Sequence, residues 1–297
     1  MTDGLVSGPV RPALSAATRV VGVMGDPVAH SLSPLLHNAA FATLGVDWVS
    51  VGFPVPDGHA AAAVAGLRAL GIAGLSVTMP HKAAVAAVMD RLTPVAESLG
   101  AVNCIARDGD ALVGDNTDGA GFLASLRRGA GFDPAGRRAV VIGAGGAARA
   151  VVLALADAGA AEVVVVNRSP DRAAAAAAVA GDRGRVGTPD DTDGADLVVN
   201  ATPAGMGGTA TATVAPLVDA DRLGPDQVAA DLVYHPLVTP WLSRAAEQGA
   251  TVVGGLGMLV HQAAVQLERW TGQPAPVEAM WEAALREAAA REAAAGR

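Results

Sequence analysis

The sequence predicts an α/β fold in two parts, each a mostly parallel sheet with helices laid over it. Short apolar, β-branched runs alternate with helical stretches through two successive blocks, as in sheets whose crossovers are helices. A glycine-rich turn, Gly143-Ala144-Gly145-Gly146-Ala147, stands between a strand and a helix of the second block. The length, 297 residues, suits two domains of about 150 residues each.

Residues 1–18, rich in Gly, Pro, Ser and Ala, are expected to form a flexible tail. Arg19–Met24 reads as a buried strand and Pro34–Leu44 as the next helix, with Ser33-Pro34 as its N-cap and first residue. Strand 48–53, helix 59–70, strand 74–79 and helix 81–90 follow, then strands near 101–106 and 111–114. A helix over 119–129 opens the second block. There Arg138–Ile142 and Glu162–Val166 are strands flanking a helix at about 147–158, with further strands at 196–200, 228–233 and 251–253. Helices over Met258–Trp270 and from Val277 onward close the chain, the last fraying into solvent as a charged Ala/Glu/Arg run. The block edges place one domain over 19–118 and 255–297 and another over 119–254, separated by a cleft.

Hydrophobic residues make up 51% of the chain but aromatics only 3%, so the core must be mostly Ala, Val and Leu. A net charge of −8 argues against nucleic acid as a partner and leaves room for a local basic pocket. No apolar run approaches the roughly 20 residues of a membrane span. Asp3 stands where a secretory leader would be basic and then apolar, so a cytoplasmic location is expected. The single cysteine, Cys104, excludes an internal disulfide and a cysteine-built zinc site, and the six histidines lack paired helical spacing, so no metal is expected.

The turn Gly143, Ala144, Gly145, Gly146, Ala147 matches the dinucleotide fingerprint in its strand–turn–helix context, the mark of a Rossmann-type doubly wound domain. Glycines admit a pyrophosphate close to the backbone, and the helix start offers free N–H groups. The next strand ends in Asn167-Arg168-Ser169-Pro170-Asp171-Arg172, without the acid that would hold the ribose of NAD or of S-adenosylmethionine. Arg168 and Arg172, one helical turn apart, suit a 2′-phosphate and favour NADP, although two exposed charges at a helix start would look the same.

Twenty arginines accompany one lysine, Lys82. Arginine can replace lysine as a fixed charge but not where a proton must leave, which makes Lys82 a candidate proton donor. Ser31, Ser33, Thr78, Asn103, the run Gly114-Asp115-Asn116-Thr117-Asp118-Gly119 and Gln262 are polar interruptions at strand ends or helix starts, where hydroxyls and amides can read a small polyol. Ser33 and Asp118 would equally cap helices and Asn103 fit a turn, so the residues alone leave both roles open.

In order, Gly25 to Pro34, Ser76 to Lys82, Gly100 to Asn103, Gly114 to Gly119, Gly143 to Ala147, Asn167 to Arg172 and Gly255 to Met258 resemble the motifs of the shikimate dehydrogenase family over about 19–285. The resemblance implies reversible NADPH-dependent reduction of 3-dehydroshikimate to shikimate, on the route to aromatic amino acids. It makes Lys82 and Asp118 the catalytic pair, and has Ser31, Ser33, Thr78, Asn103, Tyr234 and Gln262 hold the substrate. Gly143–Ala147, Asn167, Arg168, Ser169 and Arg172 would take the cofactor's phosphates and adenosine ribose, with Leu232 and Gly255 near the nicotinamide. Ser76 departs from the family's usual Asn, and His81 from an aromatic or small residue; His81 is expected at the surface or rim. A quinate- or aminoshikimate-type dehydrogenase is the near alternative. An S-adenosylmethionine-dependent methyltransferase and a non-catalytic NADP-binding protein are distant ones. A monomer or homodimer is expected.

Overall fold

The computed structural model describes residues 13–207 and 216–295. The tail expected over 1–18 lies outside the described residues as far as residue 12. Its last residues, 15–18, are tied down: the Thr18 hydroxyl donates to Asp47 Oδ1 at 2.8 Å, and Ser15 N–H donates to Thr18 Oγ1 at 2.9 Å. Described residues up to 96, with 101–115 and 263–286, form one compact unit; 97–100, 116–262 and 287 onward form another.

The first unit is built on β1 (Arg19–Gly25), β2 (Trp48–Pro54), β3 (Gly74–Val77), β4 (Arg91–Leu92), β5 (Cys104–Asp108) and β6 (Ala111–Asp115). They lie in the order β2-β1-β3-β5-β6-β4. Pairing is parallel from β2 through β1 to β3, and β5 runs antiparallel to both neighbours. The reversal follows from the two-residue turn Gly109-Asp110, where Gly109 supplies φ 59°. Helices α1 (Ser33–Leu44), α2 (Ala60–Ala69) and α3 (Lys82–Ala86) follow β1, β2 and β3. Met24, Val64, Leu67, Leu75, Val77, Ile105 and Leu112 form a core cluster of this unit. The helix expected over 81–90 stops at Ala86, because Asp90 N–H turns to the Leu112 carbonyl at 3.1 Å beside β4. The short helix α4 (Pro94–Leu99) and two-residue β4 carry too little periodicity to be read from sequence.

The second unit holds α5 (Asp118–Ala130), β7 (Arg138–Ile142), α6 (Gly146–Asp157), β8 (Glu162–Val166), α7 (Pro170–Ala177) and β9 (Gly184–Val186). Beyond them come β10 (Leu197–Asn200), β11 (Val228–Asp231), α8 (Pro240–Glu247) and β12 (Thr251–Val253). The order β12-β11-β10-β7-β8-β9 is parallel throughout. Strand β7 is buried on both faces: Val141 packs with Val151, Leu155 and Val165, while Val140 and Ile142 pack with Val198, Trp241 and Leu242. The strand order reverses between β7 and β10, β8 and β9 being laid down on one side of β7 and β10 to β12 on the other, which opens a crevice at the carboxyl ends of those strands. Helix α8 had a readable start in Thr239-Pro240, since Thr239 Oγ1 accepts from Leu242 N–H at 3.2 Å. Helix α9 (Leu256–Thr271) counts with the second unit up to Gln262 and with the first from Ala263; α10 (Val277–Ala295) ends the described chain. Among the described residues no helix is long and apolar enough to cross a membrane.

Candidate active site

In the first unit one edge of the sheet gathers the loops after β1 and β3 and the residue before β5. Backbone bonds draw them together: Thr78 N–H to Met24 O at 3.0 Å, Asp26 N–H to Met79 O at 3.0 Å, Val77 N–H to Asn103 O at 2.8 Å and Val102 N–H to Lys82 O at 2.9 Å. The approach is close at Gly25, where a Cβ would lie 2.4 Å from Thr78 Cγ2, so any larger residue would push the Thr78 side chain from its place. Ser31, Ser33, Thr78, Lys82 and Asn103 thereby share this edge, with Ser33 and Asn103 buried and the other three half-buried. Ser33 is not the expected N-cap. It is the first residue of α1, no side chain caps that helix, and its N–H donates instead to Ser31 Oγ at 3.3 Å. Ser76 is buried on β3 opposite Cys104.

His81 overturns its expected surface position. Only 1% of it is exposed, and its Nε2 lies 2.7 Å from the Val55 carbonyl oxygen. Its place immediately before α3 turns the ring into the unit, while Lys82 begins the helix beside it. The histidine takes the inside, and Lys82 is half-buried.

Asp118 and Gln262 fall with the second sheet. Asp118 opens α5, its N–H donating to Asn116 Oδ1 at 3.2 Å; the Thr117 hydroxyl donates to the Gln262 carbonyl at 3.1 Å, and both residues are buried. The four predicted substrate contacts Ser31, Ser33, Thr78 and Asn103 thus lie in one unit, and Tyr234 and Gln262 in the other. Tyr234 is half-buried; burial raises its hydroxyl above the usual tyrosine range, partly offset by the charge of Arg291.

A pocket of about 280 Å³ opens at the switch of strand order, lined by Gly143, Ala144, Gly145, Asn167 and Arg168, with 201–204, Pro216 and Leu217 opposite. Gly143 has φ 115°, and a Cβ there would stand 3.0 Å from the Ala201 carbonyl oxygen, so no other residue fits. Gly146 and Ala147 begin α6, whose free N–H groups give the pocket a positive end suited to a pyrophosphate. Asn167 Nδ2 donates to Ser169 O at 3.0 Å, which shapes the turn into α7. Arg168 and Arg172 are exposed, and neither forms an ion pair among the described residues. Those features fit a dinucleotide carrying an extra phosphate. Leu232 and Gly255 follow β11 and β12, and Gly255 N–H donates to the carbonyl of Val233, the residue after Leu232, at 3.3 Å.

Sequence reasoning missed a buried polar cluster behind this pocket. Asn200 ends β10 and Asp231 ends β11, in register with each other. Asn200 Nδ2 donates to Asp231 Oδ1 at 3.0 Å, and the Thr239 hydroxyl to Asp231 Oδ2 at 2.8 Å. Burial raises the Asp231 carboxyl, and the bonds from Val233, Thr239 and Asn200 oppose that rise. The available signal was two strands each ending on a polar residue after an apolar run.

Three family models match the chain. One described as the shikimate dehydrogenase substrate binding domain covers 23–105, one described as shikimate/quinate 5-dehydrogenase covers 127–205, and one described as the shikimate 5′-dehydrogenase C-terminal domain covers 255–285. The shikimate dehydrogenase (NADP(+)) of Moorella thermoacetica is 48% identical over 284 residues, spanning 92% of this chain and 95% of that protein. A crystal structure of a shikimate dehydrogenase with NADP+ superposes with a TM-score of 0.88 at 37% identity, covering 94% of this chain and 99% of that one. The Thermus thermophilus enzyme in complex with NADP(H) and shikimate gives 0.83 at 38% identity, over 91% and 99% of the two chains. With its motifs in order along both units and such likeness over nine-tenths of its length, the chain belongs to the shikimate dehydrogenase family.

Proposed function

We propose that this protein is an NADP-dependent oxidoreductase that interconverts 3-dehydroshikimate and shikimate. The observation that carries the reading is the pairing of a glycine-lined pocket and unpaired arginines in one unit with the chain's only lysine among hydroxyl and amide side chains in the other. The first unit would be the substrate domain and the second the NADP domain.

Bound NADPH supplies a hydride to the substrate's keto carbon. Lys82 holds the proton for the keto oxygen as that atom becomes a hydroxyl, and takes it back in the reverse direction. Asp118 accepts from a substrate hydroxyl and acts with Lys82 as the acid–base pair. Ser31, Ser33, Thr78, Asn103, Tyr234 and Gln262 bind the substrate's carboxylate and hydroxyls. On the cofactor side, Gly143–Ala147 take the pyrophosphate by backbone N–H groups, and Asn167, Arg168, Ser169 and Arg172 take the 2′-phosphate and adenosine ribose. Leu232 and Gly255 border the nicotinamide.

The test is turnover of shikimate with NADP followed at the nicotinamide absorbance. No turnover, or a rate on quinate above that on shikimate, overturns the assignment. Ser33 and Thr78, both small and hydroxylated, favour shikimate over bulkier relatives. A thermal-shift comparison of NADPH with S-adenosylmethionine separates the methyltransferase reading, and the absence of an acid after β8 opposes it.

A further inference from the structure

We propose that Asp231 is a positioning residue for the dinucleotide: through Asn200 it fixes the loop that lines the cofactor pocket, and through its own carboxylate it fixes the turn leading to Leu232. The inference rests on the reading of Gly143–Ala147 and Arg168 as the NADP seat.

Asp231 is 1% exposed and Asn200 0%. Among the described residues the partners of the carboxylate are an amide, a hydroxyl and a backbone N–H, none of them a cation. Burying an acid on such terms costs stability, and an apolar pair would close the sheet more cheaply. What the arrangement provides is placement. Asn200 Oδ1 accepts from Thr202 N–H at 3.1 Å and from the Thr202 hydroxyl at 2.7 Å. Thr202 Oγ1 accepts in turn from Ala204 N–H at 3.2 Å, and Asn200 Nδ2 also reaches Ala204 O at 3.4 Å. Residues 201–204 form one wall of the pocket opposite Gly143 and Arg168, so that wall hangs from Asn200. The Asn200 amide could rotate to exchange its oxygen and nitrogen, and the accepting Asp231 Oδ1 settles which way it points. The same Oδ1 accepts from Val233 N–H at 3.0 Å, which orders the turn holding Leu232. The carboxylate is acceptor-only, and both roles need an acceptor. An apolar side chain of similar size at 231 would remove that acceptor and leave both donors unsatisfied.

NADPH binding to the full-length enzyme, read by nicotinamide fluorescence, tests the assignment. Asp231→Leu should weaken NADPH about tenfold, the effect of leaving buried donors unpaired, while the KM for shikimate at saturating NADP stays within about twofold. Gln227→Ala is the matched control. Gln227 braces the opposite end of β11 by donating to Thr192 O and Ala195 O at 2.9 and 2.8 Å, so its loss should lower Tm and leave NADPH affinity within about twofold. Unchanged NADPH affinity in folded Asp231→Leu overturns the proposal, as does weakening in Gln227→Ala of the same size for the same fall in Tm. Should Asp231→Leu fail to fold, amide exchange on the unmodified, ligand-free protein decides. The Thr202 and Val233 amides should be protected as well as those of β10 and β11, and rapid exchange there overturns the proposal. Failure of the underlying cofactor reading shows separately, as NADPH binding that survives neutralisation of Arg168 and Arg172.

Discussion

The two polar edges of this molecule are built by opposite means. In the second unit the pocket is largely backbone: a glycine turn, a helix start and a loop suspended from Asn200. In the first, the edge is made of side chains brought from three separate loops by backbone bonds between residues far apart in sequence. A backbone site recognises what dinucleotides share, phosphate and ribose, and tolerates change in most of its side chains. A side-chain site discriminates one polyol from another and fails with the loss of one group. The two edges should therefore respond differently to single substitutions.

The sharpest expected response is at Lys82. Lys82→Ala should lower kcat on the order of 10²–10⁴, the usual contribution of a general acid–base, with modest change in KM. Near-normal turnover would show that the first edge binds substrate without supplying the proton. On the second edge, neutralising Arg168 and Arg172 together removes two charge-assisted contacts and should cost NADPH affinity about a hundredfold while leaving NADH within a few-fold. Equal loss of both cofactors would mean the arginines only support the fold. Gly143→Ala comes next. With φ 115° and the Ala201 carbonyl 3.0 Å away, the added methyl should weaken both cofactors alike, by about tenfold. Selective loss of NADPH in that variant would erase the distinction between backbone and side-chain recognition.

The same contrast explains what could be read in advance. Strands such as Arg138–Ile142 and Glu162–Val166 are visible because both faces are buried and every residue must be apolar or β-branched. The turn at Gly143 is visible because strand, glycines and helix are contiguous. On the first edge composition singled out Lys82 and the polar interruptions marked candidates, but their convergence was legible only through resemblance, since nothing local in Ser31 or Asn103 says that Met24–Thr78 and Val77–Asn103 bonds bring them together. His81 misled for the same reason: standing next to Lys82 on an expected helix, it is expected at a surface or rim pointing away from the lysine, but the Val55 carbonyl, from beyond the end of β2, offers it an interior partner. Asp231 and Asn200 stayed hidden because their meaning lies in the β10–β11 register, which no single segment encodes.

The smallest expected effect separates the units by pH. His37, in α1, is buried with its Nδ1 3.2 Å from Ser50 Oγ and its ring against Phe41 and Trp270; none of these neighbours is a carboxylate. Burial lowers its pKa to about 3, while hydrogen bonding to the Ala263 backbone opposes the shift. The unfolded chain takes up this proton below pH ~6.5 and the folded unit does not, so acid favours unfolding. Asp231 has the reverse sign. Its raised carboxyl costs the second unit stability at neutral pH, and protonation relieves that cost only once the pH falls toward its own range. Between pH 7.5 and 5.5, therefore, His37 should take about 1.4 kcal/mol from the first unit, before carboxylates titrate in the unfolded chain. Urea unfolding at the two pH values, with Trp48 and Trp270 reporting on the first unit and Trp241 on the second, should show the first transition moving and the second holding. A His37→Gln variant should flatten that slope. If it persists unchanged, the proton is taken up elsewhere, and the buried imidazole is not what makes the first unit the acid-sensitive half.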